Sequence, residues 1–185
     1  MEYLRLFFAI DIPFSLKEKI ERRVKEIALP INAKLTPKEN YHLTLLFLGN
    51  VKIDDLTKVI EAGEKTFKNC EPTELYGTHI SVAPNQNFGR MLWLNFEFND
   101  KLADLKKKLE ENLRAAGVNF KLEERELKIH LTLARFEPQR MAFKDIDFPI
   151  HFKMTDIYLM ESKLQKPNAV YIPLKRYLLS EIAKK

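Results

Sequence analysis

Cysteine is all but missing from this sequence. The single residue, Cys70, excludes an intramolecular disulfide and any zinc site built on several thiolates, and it suits a reducing compartment. Glycine is scarce too, five in 185 residues. None of the five falls in a Gly-x-x-x-x-Gly-Lys-Ser/Thr loop or a Gly-x-Gly-x-x-Gly turn, so no ATP or dinucleotide cofactor is indicated. Long apolar runs are absent: the opening MEYLRLFFAIDIP is broken by Glu2, Arg5 and Asp11, which supports neither a signal peptide nor a membrane span. No segment is rich in glycine and proline like a linker. The expectation is one folded domain over 1–185, soluble and cytoplasmic, a monomer with no membrane partner.

What is present points to a core and a mildly basic surface. Hydrophobic residues make up 45% of the chain, enough for a substantial core. The net charge of +5 makes an anionic partner plausible. The charged runs EKIERRVKEI and KLADLKKKLEENLR mix both signs, as solvated helix faces do.

Period and punctuation set out the elements. Arg5–Ile10 is an aromatic and aliphatic strand that ends at Asp11-Ile12-Pro13. Ser15 and Glu18 form a capping-box pattern ahead of a helix running to about Ala28, with Leu16, Ile20, Val24 and Ile27 at helical spacing. Tyr41–Leu48 reads as a strand closed by a Gly49-Asn50 turn, and Asp54–Phe67 as an amphipathic helix. Glu74–Val82 and Met91–Phe98 suggest a hairpin. Asn99 is a good N-cap for a helix over Asp100–Ala116, with Gly117 where a left-handed cap is wanted. Strands follow at Leu127–Ala134, Phe152–Met160 and Ala169–Leu179, the last interrupted by Pro173, which suggests an edge or a bulge. The pattern predicts an α+β fold with antiparallel or mixed sheets.

The tetrapeptide His-Leu-Thr-Leu occurs twice, at His42–Leu45 and His130–Leu133, each inside a predicted strand. Side chains alternate along a strand, so His42 and Thr44 share one face while Leu43, Leu45 and Phe47 take the other. His130 and Thr132 share a face in the same way. Two imidazoles across a cleft can act as base and acid on one phosphate, because their ordinary pKa of about 6.5 lets both forms exist near neutrality. Thr44 and Thr132 can donate hydrogen bonds to the non-bridging oxygens. One His-x-Thr alone is more simply a local hydrogen-bonding pair; two identical copies favour a site. Zinc fits poorly, since threonine is a weak ligand and no carboxylate or cysteine stands at ligand spacing, so no metal is expected. His79 and His151 lack the threonine and read as surface or half-buried histidines.

These motifs resemble the 2H phosphoesterase superfamily, and within it the RNA 2',3'-cyclic phosphodiesterases historically named 2'-5' RNA ligases. Arg5–Asp11 is similar to the family's first strand, Tyr41–Gly49 and His130–Arg135 to its two signatures, and Glu161-Ser162 with Leu164 and Tyr171 to its C-terminal strand pair. The usual proline before the second histidine is here Ile129. The resemblance implies two pseudo-symmetric lobes with sheets flanked by helices and a cleft between them. It implies that His42 protonates the leaving 3'-oxygen, that His130 activates water, and that Arg135 contacts the phosphate. Strict alternation would put Arg135 on the face opposite His130 unless the strand bulges. Arg5, Phe7 and Tyr171 become candidate cleft residues, with Phe7 equally readable as core. The implied substrate is RNA with a 2',3'-cyclic phosphate end, such as a tRNA fragment. The strained ring would supply the energy for an ATP-independent 2'-5' ligation at the same site. The rival from another class is a non-catalytic RNA-binding module using Tyr41, Phe88 and Trp93 to hold single strands.

Overall fold

The computed structural model describes residues 2–30, 32–122, 126–165 and 169–180. In chain order these form β1 (Tyr3–Asp11), α1 (Phe14–Lys25), β2 (Lys34–Leu35), β3 (His42–Lys52), α2 (Leu56–Phe67), β4 (Thr73–Ala83), β5 (Gly89–Phe96), α3 (Asp100–Ala115), β6 (His130–Gln139), β7 (Ile146–Met154), β8 (Asp156–Lys163) and β9 (Val170–Leu178). They build two sheets, β3-β1-β8-β9 and β2-β6-β5-β4-β7, and every pairing in both is antiparallel.

The path of the chain makes the two sheets counterparts. It lays down β1 and β3, builds the second sheet from β4 to β7, and returns with β8 and β9 to complete the first. With the short β2 set aside, β3-β1-β8-β9 matches β6-β5-β4-β7 position for position. The histidine strands β3 and β6 therefore occupy equivalent places, and they approach each other between the sheets.

Apolar periodicity accounts for the core. α3 buries Leu102, Leu105, Leu109 and Leu113, a single stripe at helical spacing, and packs against α2. Its start is capped by Asn99, whose Oδ1 accepts from the Leu102 amide at 3.0 Å. At its end Gly117 takes φ +74°, and the amides of Gly117 and Val118 donate to Arg114 and Leu113 carbonyls. That pairing is a Schellman cap, which requires a residue at ease in the left-handed region. Within α2, Gly63 admits Tyr177 from β9: a Cβ there would stand 2.5 Å from the Tyr177 hydroxyl.

Several expectations are corrected. Pro13 rather than Ser15 is the N-cap of α1, with no side-chain cap, because the Pro13 carbonyl already receives the Leu16 and Lys17 amides. The helix closes at Lys25, short of Ala28. Gly49-Asn50 is not a turn: β3 runs through it to Lys52. Leu6 pairs with Gly49 and Phe7 with Phe47, so Leu48 is the extra residue of a bulge, and Gly49 sits at φ +75°. The segment Phe152–Met160 is not one strand but the junction of β7 and β8, which belong to different sheets. Pro173 lies on edge strand β9 beside a register shift, so both of its expected explanations apply.

Candidate active site

His42 opens β3 and His130 opens β6, and both rings are oriented in the same way. His42 Nδ1 lies 2.7 Å from the Asn40 carbonyl, and His130 Nδ1 lies 2.8 Å from the Lys128 carbonyl. A carbonyl oxygen only accepts, so each Nδ1 carries the proton and Nε2 is left as the nitrogen able to take or give one.

A bulge follows each motif. On β3 the pairing steps from Ala9↔Thr44 to Phe8↔Leu46; on β6 it steps from Trp93↔Thr132 to Leu92↔Ala134. Leu45 and Leu46 are consequently both buried, as are Leu133 and Ala134, and the alternation reverses after them. Arg135 thereby joins His130 and Thr132 on the cleft face. Phe47 likewise joins His42 and Thr44, which overturns its expected place on the opposite face: it is 38% exposed and lines the cavity.

All eight residues singled out from the sequence line one cavity of about 560 Å³: Arg5, Phe7, His42, Thr44, His130, Thr132, Arg135 and Tyr171. Phe7 answers to both of its readings, being 3% exposed yet part of the wall. Lys34 and Phe47 are among the wall residues that were not anticipated. Lys34 arrives on β2, where it pairs with Arg135, and nothing in a two-residue strand announces it. Phe47 stands as far from His42 as Arg135 does from His130, so the repeat itself held the signal. Among the described lining residues the charged ones are Arg5, Lys34 and Arg135, with no carboxylate, and the field favours an anion. The Arg5 guanidinium rests over the Phe47 ring at 5.0 Å, and Arg135 Nη1 donates to Met91 Sδ at 3.1 Å.

The two imidazoles differ in surroundings. His42 sits against Phe7 and edge-on to Tyr171, both with ring centroids at 5.0 Å. Burial pushes its pKa below the ordinary histidine value; the Asn40 carbonyl opposes that shift, Lys17 adds to it, and Asp11 opposes it. His130 instead stacks on the indole of Trp93, 3.8 Å between centroids and 23° between planes. Of the aromatics proposed to hold single strands, Tyr41 is 1% exposed and can stack on nothing outside the core. Phe88 is 69% exposed in the β4–β5 loop. His79 is half-buried and His151 exposed. Among the described residues no three His, Cys, Asp or Glu side chains are grouped to hold a metal, and no helix is long and apolar enough to cross a membrane.

Residues 10–93 match the family described as LigT like Phosphoesterase. An RNA 2',3'-cyclic phosphodiesterase of Methanocaldococcus jannaschii is 31% identical over 183 residues, covering 94% of this chain and 100% of the relative. The protein of the same name in Escherichia coli is 26% identical, covering 96% of this chain and 97% of its own length. Among solved structures, a protein of Thermus thermophilus superposes with a TM-score of 0.84 at 22% identity, over 95% of this chain and 98% of the other. E. coli LigT complexed with 3'-AMP superposes with a TM-score of 0.78 at 24% identity, over 97% of this chain and all of the other.

Proposed function

Because this chain belongs to the LigT-like phosphoesterase family, we propose that it hydrolyses RNA 2',3'-cyclic phosphate ends to 2'-phosphates by two-histidine acid–base catalysis. The observation that carries this reading is the pair of His-x-Thr strands lining one cationic cavity, each histidine with Nδ1 committed to a backbone carbonyl. The cyclic phosphate docks between the lobes, its non-bridging oxygens taking hydrogen bonds from Thr44 and Thr132 and charge from Arg135. His130 Nε2 removes a proton from water as the water oxygen bonds to phosphorus. The bond from phosphorus to the 3'-oxygen breaks, and His42 Nε2 delivers a proton to that oxygen. A 2'-phosphomonoester and a free 3'-hydroxyl result, and the two histidines exchange their protons with solvent to reset.

Two features of the site bear on these steps. Burial disfavours the charged form of His42, so the ring, once protonated, is a readier donor to the departing alkoxide, and Thr44, Thr132 and Arg135 line the same cavity, where such donors can meet the growing negative charge. That E. coli LigT holds 3'-AMP on the same fold supports a nucleotide in the cleft. If a 5'-hydroxyl takes the place of water, the same proton transfers join two RNA pieces through a 2'-5' bond without ATP. Both halves of the site are needed at once, so the chain works as one bilobal unit on its RNA substrate, with no cofactor or metal in the steps.

The test is a short RNA with a 2',3'-cyclic phosphate end, incubated with the protein and a chelator and analysed by end group. Conversion to a 2'-phosphate is expected. Intact cyclic ends after prolonged incubation, or a need for added zinc, contradict the reading.

A further inference from the structure

One contact in the cleft has no equivalent in the opposite half. Opposite Thr132 on β5 stands Trp93, the chain's single tryptophan; the matching position opposite Thr44 on β1 is Ala9. The Trp93 indole lies nearly parallel to His130 with centroids 3.8 Å apart, whereas His42 meets its aromatic neighbours tilted or edge-on at 5.0 Å. A positive charge over an aromatic face is attracted by the ring's quadrupole, and indole is the strongest such face. The indole Nε1 is enclosed and has no hydrogen-bond partner among the described residues, so packing and the stack, rather than a polar anchor, set the ring's place.

We infer that Trp93 is a positioning residue for His130, fixing the imidazole plane by stacking and stabilising the positive charge the ring gains when it takes a proton. Its catalytic meaning rests on the reaction proposed above; the contact itself is a property of the free protein. Several described groups surround His130. On its own side are Lys128, whose carbonyl holds Nδ1, and Arg135; β2 brings Lys34, and β4 brings His79 beyond Asn95. Across the cavity stand Arg5, Tyr171 and His42, backed by the Asp11–Lys17 pair. The charged residues lining the cavity are cations, which resist a further positive charge, and a neutral π face in contact favours one.

A lone tryptophan makes this readable without activity. Imidazolium in contact quenches excited indole by accepting an electron, so the protein's fluorescence, followed from about pH 8 to pH 5 across the ordinary histidine range, falls through one titration. In H130N that titration disappears. By NMR, the His130 midpoint drops about half a unit to one unit in W93L and less in W93F, which keeps a ring in the stack. The His130 limb of the kcat/KM profile moves with it. A fluorescence titration that persists in H130N, or a His130 midpoint unchanged in W93L, overturns the inference. Wild-type protein that leaves cyclic ends intact while showing both shifts overturns the reaction and leaves the Trp93–His130 coupling standing.

Discussion

At the residue scale, His42 and His130 are each oriented by a backbone carbonyl but meet different aromatic neighbours, and the difference is measurable. Burial holds the His42 pKa down in the folded protein, while the unfolded chain takes up that proton near pH 6.5. Between the unfolded value and the lower folded one the unfolded state binds more protons, so stability falls as pH drops through that window. Urea unfolding at pH 7.5 and at pH 5 should show this loss in the wild type and a smaller one in H42N; equal losses would mean His42 is not held neutral. The threonines act on the transition state instead. T44V and T132V should each lower kcat by about 10²-fold with little change in KM, and T132S should recover most of the loss. Steady-state kinetics on one cyclic-ended RNA decides it.

The elements explain why two side chains reach the cleft that alternation alone sends elsewhere. The bulges at Leu45-Leu46 and Leu133-Ala134 turn Phe47 and Arg135 inwards, and a second irregularity at Leu48-Gly49 rests on a left-handed glycine. Gly49→Ala should cost about 1–2 kcal/mol by φ strain and also reduce kcat, since Phe47 is two residues away. Gly63→Ala should cost about 1–3 kcal/mol through collision with the Tyr177 ring yet leave kcat unchanged. Chemical denaturation beside kinetics separates the two, and matching kinetic effects would contradict the distinction. The same features mark the limits of sequence reading. Helix α3 was legible at both ends because Asn99 and Gly117 are local signals. The motif residues His42, Thr44, His130 and Thr132 were legible because a period of two is local as well. The β7–β8 junction was not, because Phe152 to Met160 is an unbroken β-prone run and only tertiary pairing divides it at Thr155. Nor was Lys34, whose place depends on a strand from the far half of the chain.

Across the whole molecule, the return of β8 and β9 to the first sheet closes a cleft whose walls come from both halves of the chain. Its rim of Arg5, Lys34 and Arg135 adds to a net charge of +5. Added salt should therefore raise KM for RNA with little effect on kcat, and K34A should lower the slope of log KM against log salt by about 0.7, the share of one phosphate on a single strand. A slope unchanged in K34A would remove that lysine from the RNA path. The division of labour across the cleft is tested most directly by measuring turnover of a cyclic-ended RNA and affinity for it side by side in H42A, H130A and the double variant. Each single change should reduce kcat by at least about 10²–10⁴-fold while affinity stays within a few-fold, and the double change should add little to either alone. Turnover close to wild type in either single variant, or affinity lost in step with turnover, would contradict the account and favour an RNA-binding module.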